Sequence, residues 1–325
     1  MSQKAPLLEI ESLKMYYQLK DKRYVRAVDD IDLSIHEGET LGLAGESGCG
    51  KSSIALTITG ILPDNAKILG GKILLGGYDV LRLNEETLRR NVRWKIASII
   101  PQSAMSALDP VIRIGDQIAE AIMLHETVSR KEANEKVRRL FELVGLDSSR
   151  TGNYSHEFSG GMRQRSMIAM ALACNPKLVV ADEPTTALDV IVQAEILKLI
   201  EDLRARLNLS LLLITHDLKT IAEICDNVAI MYAGKIVERG STLNVYENPR
   251  HPYTRLLLAS IPNLRGQRRK LLFIPGAPPD LLDPHPGCRF APRCPCATQT
   301  CRQEEPEMIT IKGSSVACHH AEEHL

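Results

Sequence analysis

Gly45-Glu46-Ser47-Gly48-Cys49-Gly50-Lys51-Ser52 fits the pattern G-x-x-x-x-G-K-[ST] without a gap. Its chemistry is phosphate binding. Glycines let the backbone curl so that successive N–H groups point at phosphate oxygens, and a helix starting near Lys51 adds its positive end. In this pattern Lys51 reaches the β- and γ-phosphates, Ser52 places a hydroxyl on Mg2+, and Ser53 follows as a further nucleotide contact. Cys49 sits at a variable position, as a bystander or as a thiol that could make the site sensitive to oxidation. A second element is Leu178-Val179-Val180-Ala181-Asp182-Glu183. An apolar strand ending in two acids delivers Asp182 to the Mg2+ shell. Glu183 then lies where it can polarise a water for attack on the γ-phosphate. Together these motifs describe a Mg-dependent ATPase or GTPase.

Phe158-Ser159-Gly160-Gly161-Met162-Arg163-Gln164 lies upstream of Asp182 and opens a helix. Bare N–H groups, a hydroxyl and a helix dipole make this another anion site. One nucleotide does not need two such sites from one chain. The second makes sense if it closes over the nucleotide of a neighbouring subunit.

The elements that position these residues read as alternating strands and helices, which favours a parallel α/β sheet. Leu7 to Leu13 and Ala27 to Ile35 alternate apolar residues, and Thr40 to Ala44 enters the glycine loop. Ser52 to Leu62 has helical spacing and stops at Pro63. Lys72 to Leu75 and Ile96 to Ile100 are short strands. From Ile112 to about Leu146 the spacing predicts an amphipathic helix, within a helical insert at about residues 104–165. Leu178 to Ala181, Leu211 to Thr215 and Asn227 to Ala233 are further strands, with a helix over Val190 to Leu207. Beyond about residue 246 the composition changes. Prolines cluster from Pro275 to Pro306, and Cys288, Cys294, Cys296, Cys301 and Cys318 gather near the end. A segment so rich in Pro and Cys is not expected to continue the sheet. The predicted division is residues 1–245 and 246–325.

The chain has 325 residues, 40 basic and 40 acidic, with zero formal net charge. That excludes a globally basic nucleic-acid binder. Aromatic residues make up only 4%, against recognition by many stacked bases. No apolar run approaches the roughly 18–20 residues needed to span a bilayer. The N-terminus lacks the apolar region of a signal peptide. The expectation is a cytosolic chain able to dock on a membrane protein.

Taken in order, these motifs resemble those of the ATP-binding subunit of an ABC transporter. Ser159-Gly160-Gly161-Met162-Arg163-Gln164 matches the family signature, with Phe158 where Leu is usual. Gln102 looks like the Q-loop glutamine, similar to a hinge sensing Mg2+ and the membrane partner. Ala187-Leu188-Asp189 matches the D-loop, and His216 matches the switch histidine that contacts the γ-phosphate. Tyr17, or alternatively Tyr24, fits the aromatic that stacks on adenine. The resemblance implies an ABC nucleotide-binding domain of P-loop NTPase type: a RecA-like core, an antiparallel β subdomain and an α-helical signature subdomain. It also implies two ATP molecules sandwiched between two such subunits, hetero- or homodimeric.

Gln102-Ser103-Ala104-Met105-Ser106-Ala107-Leu108-Asp109-Pro110 and His251-Pro252-Tyr253-Thr254 are similar to segments of oligopeptide/dipeptide importers. The resemblance therefore implies two membrane permease subunits, an external solute-binding protein, no nucleic acid, and a peripheral place on the cytoplasmic face of the membrane. Pro286-Gly287-Cys288 to Cys294-Pro295, with Cys301 and Cys318, looks like that group's cysteine motif, where some members hold a [4Fe-4S] cluster. Four thiolates also suit zinc, and a site without metal stays open. Cys296 departs from the pattern. His319 and His320 are further candidate ligands, more plainly read as tail residues. Arg265, Arg268, Arg269 and Lys270 form a small basic run, read as a solvated linker. An alternative within the same superfamily is a soluble ATPase acting on nucleic acid or the ribosome.

Overall fold

A computed structural model describes residues 5–102, 107–260 and 274–322. Ser103 to Ser106 and the basic run from Arg265 to Lys270 lie outside them.

Two sheets carry the fold. Strands β1 (Leu8–Gln18), β2 (Tyr24–Ile35), β4 (Ala66–Leu75) and β5 (Tyr78–Asp79) form an antiparallel sheet in the order β2-β1-β4-β5. The second sheet has eight strands. Its parallel centre is β9 (Asn227–Tyr232), β3 (Thr40–Ala44), β8 (Ser210–Ile214), β7 (Leu178–Asp182) and β6 (Ala97–Ile100), in that order. Every residue of β3, β7 and β8 is buried. Such strands read as unbroken apolar runs because both faces of a parallel sheet are covered. The site loops follow from this order, since the C-terminal ends of β3, β6, β7 and β8 all open on one edge.

Between β3 and β4 lies α1 (Lys51–Thr59), ended by Gly60 in the left-handed region. That is one turn shorter than the sequence predicts, because Gly60 rather than Pro63 stops it. The predicted single helix from Ile112 to Leu146 is two, α2 (Ile114–His125) and α3 (Arg130–Leu143). Ser129 and Glu132 form a reciprocal capping box that starts α3. These helices pack with α4 (Gly160–Ala171). Helix α5 (Val190–Leu207) has the bounds its periodicity predicts.

The sheet does not stop near residue 245. Strand β10 (Lys235–Ser241) pairs antiparallel with β9, and a hairpin of β11 (Met308–Ile311) and β12 (Ser314–Ala317) adds to β10. Proline content masked this, yet the hairpin begins only after Pro306. Lys312 and Gly313, at φ 47° and 85°, make its two-residue turn. Helices α6 (Leu218–Ile224), α7 (Thr242–Glu247) and α8 (Pro252–Ala259) precede the C-terminal segment. Tyr232, Tyr253 and Phe290 bind that segment to the core, with ring centroids 4.6 to 5.4 Å apart and each nearly fully buried.

Candidate functional site

Between β3 and α1, the loop Gly45 to Gly50 has the conformation that its glycines permit. Gly50 has φ 110°, and a Cβ there would fall 1.9 Å from the Ala27 carbonyl oxygen. No other residue fits. The start of α1 borders a groove of about 310 Å3, lined among others by Ser47, Gly48, Lys51, Ser52, Gln102 and Glu183. Lys51 is buried and turned onto its own loop. Its Nζ donates to the Gly45 carbonyl at 2.8 Å and the Glu46 carbonyl at 3.0 Å. Cys49 is buried, and burial pushes its thiol above the ordinary value against the lowering effect of Lys51. Burial of the thiol favours the bystander reading over the oxidation-sensitive one.

Ser52 hydrogen-bonds Asp182 at the end of β7. Burial, with the adjacent Glu183 charge, pushes the Asp182 carboxyl above its ordinary value despite that bond. Its Oδ1 is buried with no hydrogen-bond partner among the described residues. A hydroxyl beside an orphaned buried carboxylate oxygen fits a hard cation such as Mg2+, which would reverse the cost of that charge.

Glu183, next in sequence, lies at φ 46°. This sparsely populated conformation is typical of functional sites. Its carboxylate is held from three sides. Gln102 Nε2 donates to Oε2 at 3.0 Å, Thr186 Oγ1 donates to Oε2 at 2.9 Å, and His216 Nδ1 lies 3.2 Å from Oε1. Burial pushes the carboxyl up, but the bonds from His216, Thr186 and Gln102 outweigh it and hold it below its ordinary value. The structure thus joins Gln102, Asp182, Glu183 and His216, which the sequence places on three different strands. Thr186 carried no signal that the sequence reading used.

Tyr17 lines the groove, and its hydroxyl meets Ser53 Oγ at 2.9 Å. Tyr24 instead accepts from Gln18 Nε2 at 3.3 Å.

Ser159 caps α4 by accepting from the Met162 amide at 3.3 Å, and is exposed. Gly160 and Gly161 follow at the first turn, and a Cβ on Gly161 would lie 2.7 Å from Val192 Cγ1. Asp189 caps α5 by accepting from the Val192 amide at 3.0 Å. None of these four lines the groove of its own chain. Gln164 is 3% exposed, facing the interior of α4 rather than its tip.

The tail differs from the metal-site expectation. Burial first, then the neighbouring thiols, push Cys288 up to about 11 and Cys318 up to about 12, and Cys294 is raised in the same way. Burial opposes, but a hydrogen bond from Thr298 leads those that hold Cys301 below its ordinary value. Cys296 is exposed. The four thiols are therefore neighbours. Yet among the described residues no group of three or more His, Cys, Asp or Glu side chains is arranged to hold a metal ion. Neither an iron–sulfur cluster nor zinc is supported by this geometry.

Three results from known proteins bear on the chain. Residues 28–186 match the family ABC transporter, and residues 237–301 match the family Oligopeptide/dipeptide transporter, C-terminal region. The oligopeptide transport ATP-binding protein AppD of Bacillus subtilis is 44% identical, over 98% of this chain and 97% of its own. The oligopeptide transport ATP-binding protein OppD of Escherichia coli is also 44% identical, over 98% of this chain and 94% of its own. In fold, the chain is similar to the ATP-binding cassette MJ0796 bound to ADP and Pi, with TM-score 0.65, 22% identity, and cover of 72% of this chain and 98% of that one. With the phosphate loop, the acidic strand end and the signature helix in place, the chain belongs to the ABC transporter family, among its ATP-binding subunits of the oligopeptide/dipeptide type.

Proposed function

We propose that this chain is the ATP-hydrolysing subunit that energises an importer for peptides. It would work at the cytoplasmic face of the membrane as a peripheral protein, beside two permease subunits and a second ATP-binding subunit, identical or different. An external solute-binding protein would deliver cargo through the permease. Among the described residues no helix is long and apolar enough to cross a membrane, and in this reading the permease subunits supply the membrane path. The names of AppD and OppD support the peptide assignment. The observation that carries the chemistry is Glu183, an ionised carboxylate fixed by Gln102, Thr186 and His216 at the rim of the phosphate groove.

In the proposed cycle, Tyr17 stacks on adenine and the loop from Gly45 to Ser53 wraps the phosphates. Lys51 leaves its two carbonyl partners for the β- and γ-phosphates. Ser52, Asp182 and Gln102 would hold Mg2+, which neutralises phosphate charge. Glu183 takes a proton from the attacking water, and His216 steadies both that carboxylate and the γ-phosphate. Ser159, Gly160, Gly161 and Asp189 act across the dimer, on the partner's nucleotide. Hydrolysis removes these shared contacts and the dimer opens. Gln102 passes the motion to the permease.

A deletion strain tests the whole reading. Uptake of labelled di- and oligopeptides should be lost, return with the wild-type gene, and not return with Glu183→Gln. Full rescue by Glu183→Gln would refute it. For the tail, iron and zinc content of anaerobically purified protein decides whether Cys288, Cys294, Cys301 and Cys318 form a four-thiolate metal site. Iron near four per chain would mark a [4Fe-4S] cluster; no metal would leave four packed thiols.

A further inference from the structure

The amide and the carboxylate of Glu46, the second residue of the phosphate loop, are both held from beyond residue 250. Its amide N–H donates to Tyr253 Oη at 2.9 Å. Its carboxylate receives a two-pronged bond from Arg293, Nη1 to Oε2 at 2.6 Å and Nη2 to Oε1 at 2.9 Å. Arg293 is itself fixed. Its Nε donates to the Pro275 carbonyl at 2.7 Å, its Nη1 to Tyr232 Oη at 3.2 Å, and its side chain is 7% exposed. Four residues earlier, Arg289 anchors the same segment by a buried ion pair with Asp29 and a bond to the Ala233 carbonyl. Leu281, on that segment, borders the nucleotide groove, and its carbonyl accepts from the Arg26 amide of β2 at 2.9 Å.

The remaining face of Glu46 leads to the chemistry. Its carbonyl is one of the two that Lys51 Nζ holds. Moving the Glu46 peptide therefore moves the seat from which Lys51 swings to the phosphates. A planar guanidinium is suited to this because a fork fixes orientation as well as distance. Geometry at a phosphate site is sensitive to errors of an ångström.

We propose that Arg293 is a positioning residue of the ATP site: through Glu46 it sets the phosphate loop and Lys51, so the C-terminal segment is a working part of nucleotide binding. This rests on the reading of Gly45 to Ser52 as the phosphate loop. The competing role is mere fastening of the tail to the cassette. The two roles differ in what they move. Positioning acts on bound and activated nucleotide alike, so it raises KM and Kd while kcat changes little. Fastening changes protease resistance of the tail and leaves KM unchanged.

The test uses the full-length chain, with Mg-ATP turnover and the Kd of a fluorescent ATP analogue. Arg293→Gln and Glu46→Gln should each raise Kd and KM about tenfold, a part of what a charged fork contributes. The double variant should be no worse than either single one, because both remove the same contact. Arg293→Lys, which keeps charge and loses the fork, should fall between. Wild-type Kd in Arg293→Gln overturns the proposal, as does a double variant whose loss is the product of the two. If Arg293→Gln fails to fold, Glu46→Gln carries the test, and wild-type Kd in that variant overturns the proposal. Lys51→Ala is the control. If it too binds ATP normally, the phosphate-loop reading is what has failed.

Discussion

Gln102 donates its Nε2–H to Glu183 Oε2 at 3.0 Å, a bond that joins the ends of two adjacent parallel strands. The proposed sensor of the membrane partner thus touches the proposed base directly. A shift of the loop after β6 would change the number of donors on the carboxylate that must accept a proton.

Glu183→Gln should bind Mg-ATP and hydrolyse it about 10²–10⁴-fold more slowly, the usual cost of losing a general base. The amide keeps the shape but does not take the proton. Single-turnover hydrolysis measures this, and the variant should accumulate as an ATP-bound dimer on size exclusion. Turnover at the wild-type rate would remove Glu183 from the mechanism.

The pH profile should carry the same signature. Burial raises the Glu183 carboxyl, but bonds led by His216 lower it further, so the folded value lies below the ordinary one. A lowered value means the base stays ionised as pH falls, and is lost only beneath the usual carboxylate range near 4.3. Thr186→Val deletes one of these donors. Its acid limb of kcat should move to higher pH than that of the wild type. An unmoved or lowered limb would show that the bond from Thr186 does not tune the base.

Ser159→Arg should leave ATP binding to the isolated chain intact and abolish dimer closure. Ser159 is exposed at the tip of α4 and does not line its own groove. In a dimer with one mutated chain, only the site opposite the altered signature should fail. Loss of the mutated chain's own phosphate-loop site would contradict action across the interface.

Ending the chain at Pro306 removes β11 and β12 and bares the edge of β10. Val316 is fully buried there, and burying one such side chain is worth about 1.5–3 kcal/mol. The melting temperature should fall by at least about 2 °C, with self-association through the exposed strand. Light scattering and calorimetry report both effects. An unchanged melting temperature without association would detach the hairpin from the sheet in solution.

The motifs were legible because phosphate chemistry demands particular residues at fixed local spacing. Gly50 has no substitute where a Cβ would strike the Ala27 carbonyl, and Glu183 follows Asp182 directly. Helix α5 was legible because its leucines repeat at helical period. The break between α2 and α3 was written in Ser129 and Glu132, but an amphipathic pattern continuing on both sides hid it. Contacts such as Arg293 with Glu46 left no mark, because an ion pair between residues so far apart imposes no period on either neighbourhood. The hairpin was obscured by the prolines before it, although Ile309, Thr310 and Ile311 are the β-branched residues that strands favour.

The strand order has a consequence for how the protein is made. Strand β10 waits for β12, whose Val316 lies opposite Glu238 and leaves the ribosome long after it. At about 5–20 residues per second during translation, that gap lasts several seconds. Through that interval the nascent chain carries an open sheet edge, the kind of edge that pairs with other strands until it is covered. A stalled or prematurely terminated product never closes that edge. It keeps β10 as a strand that has lost its mate, whatever the state of its nucleotide motifs.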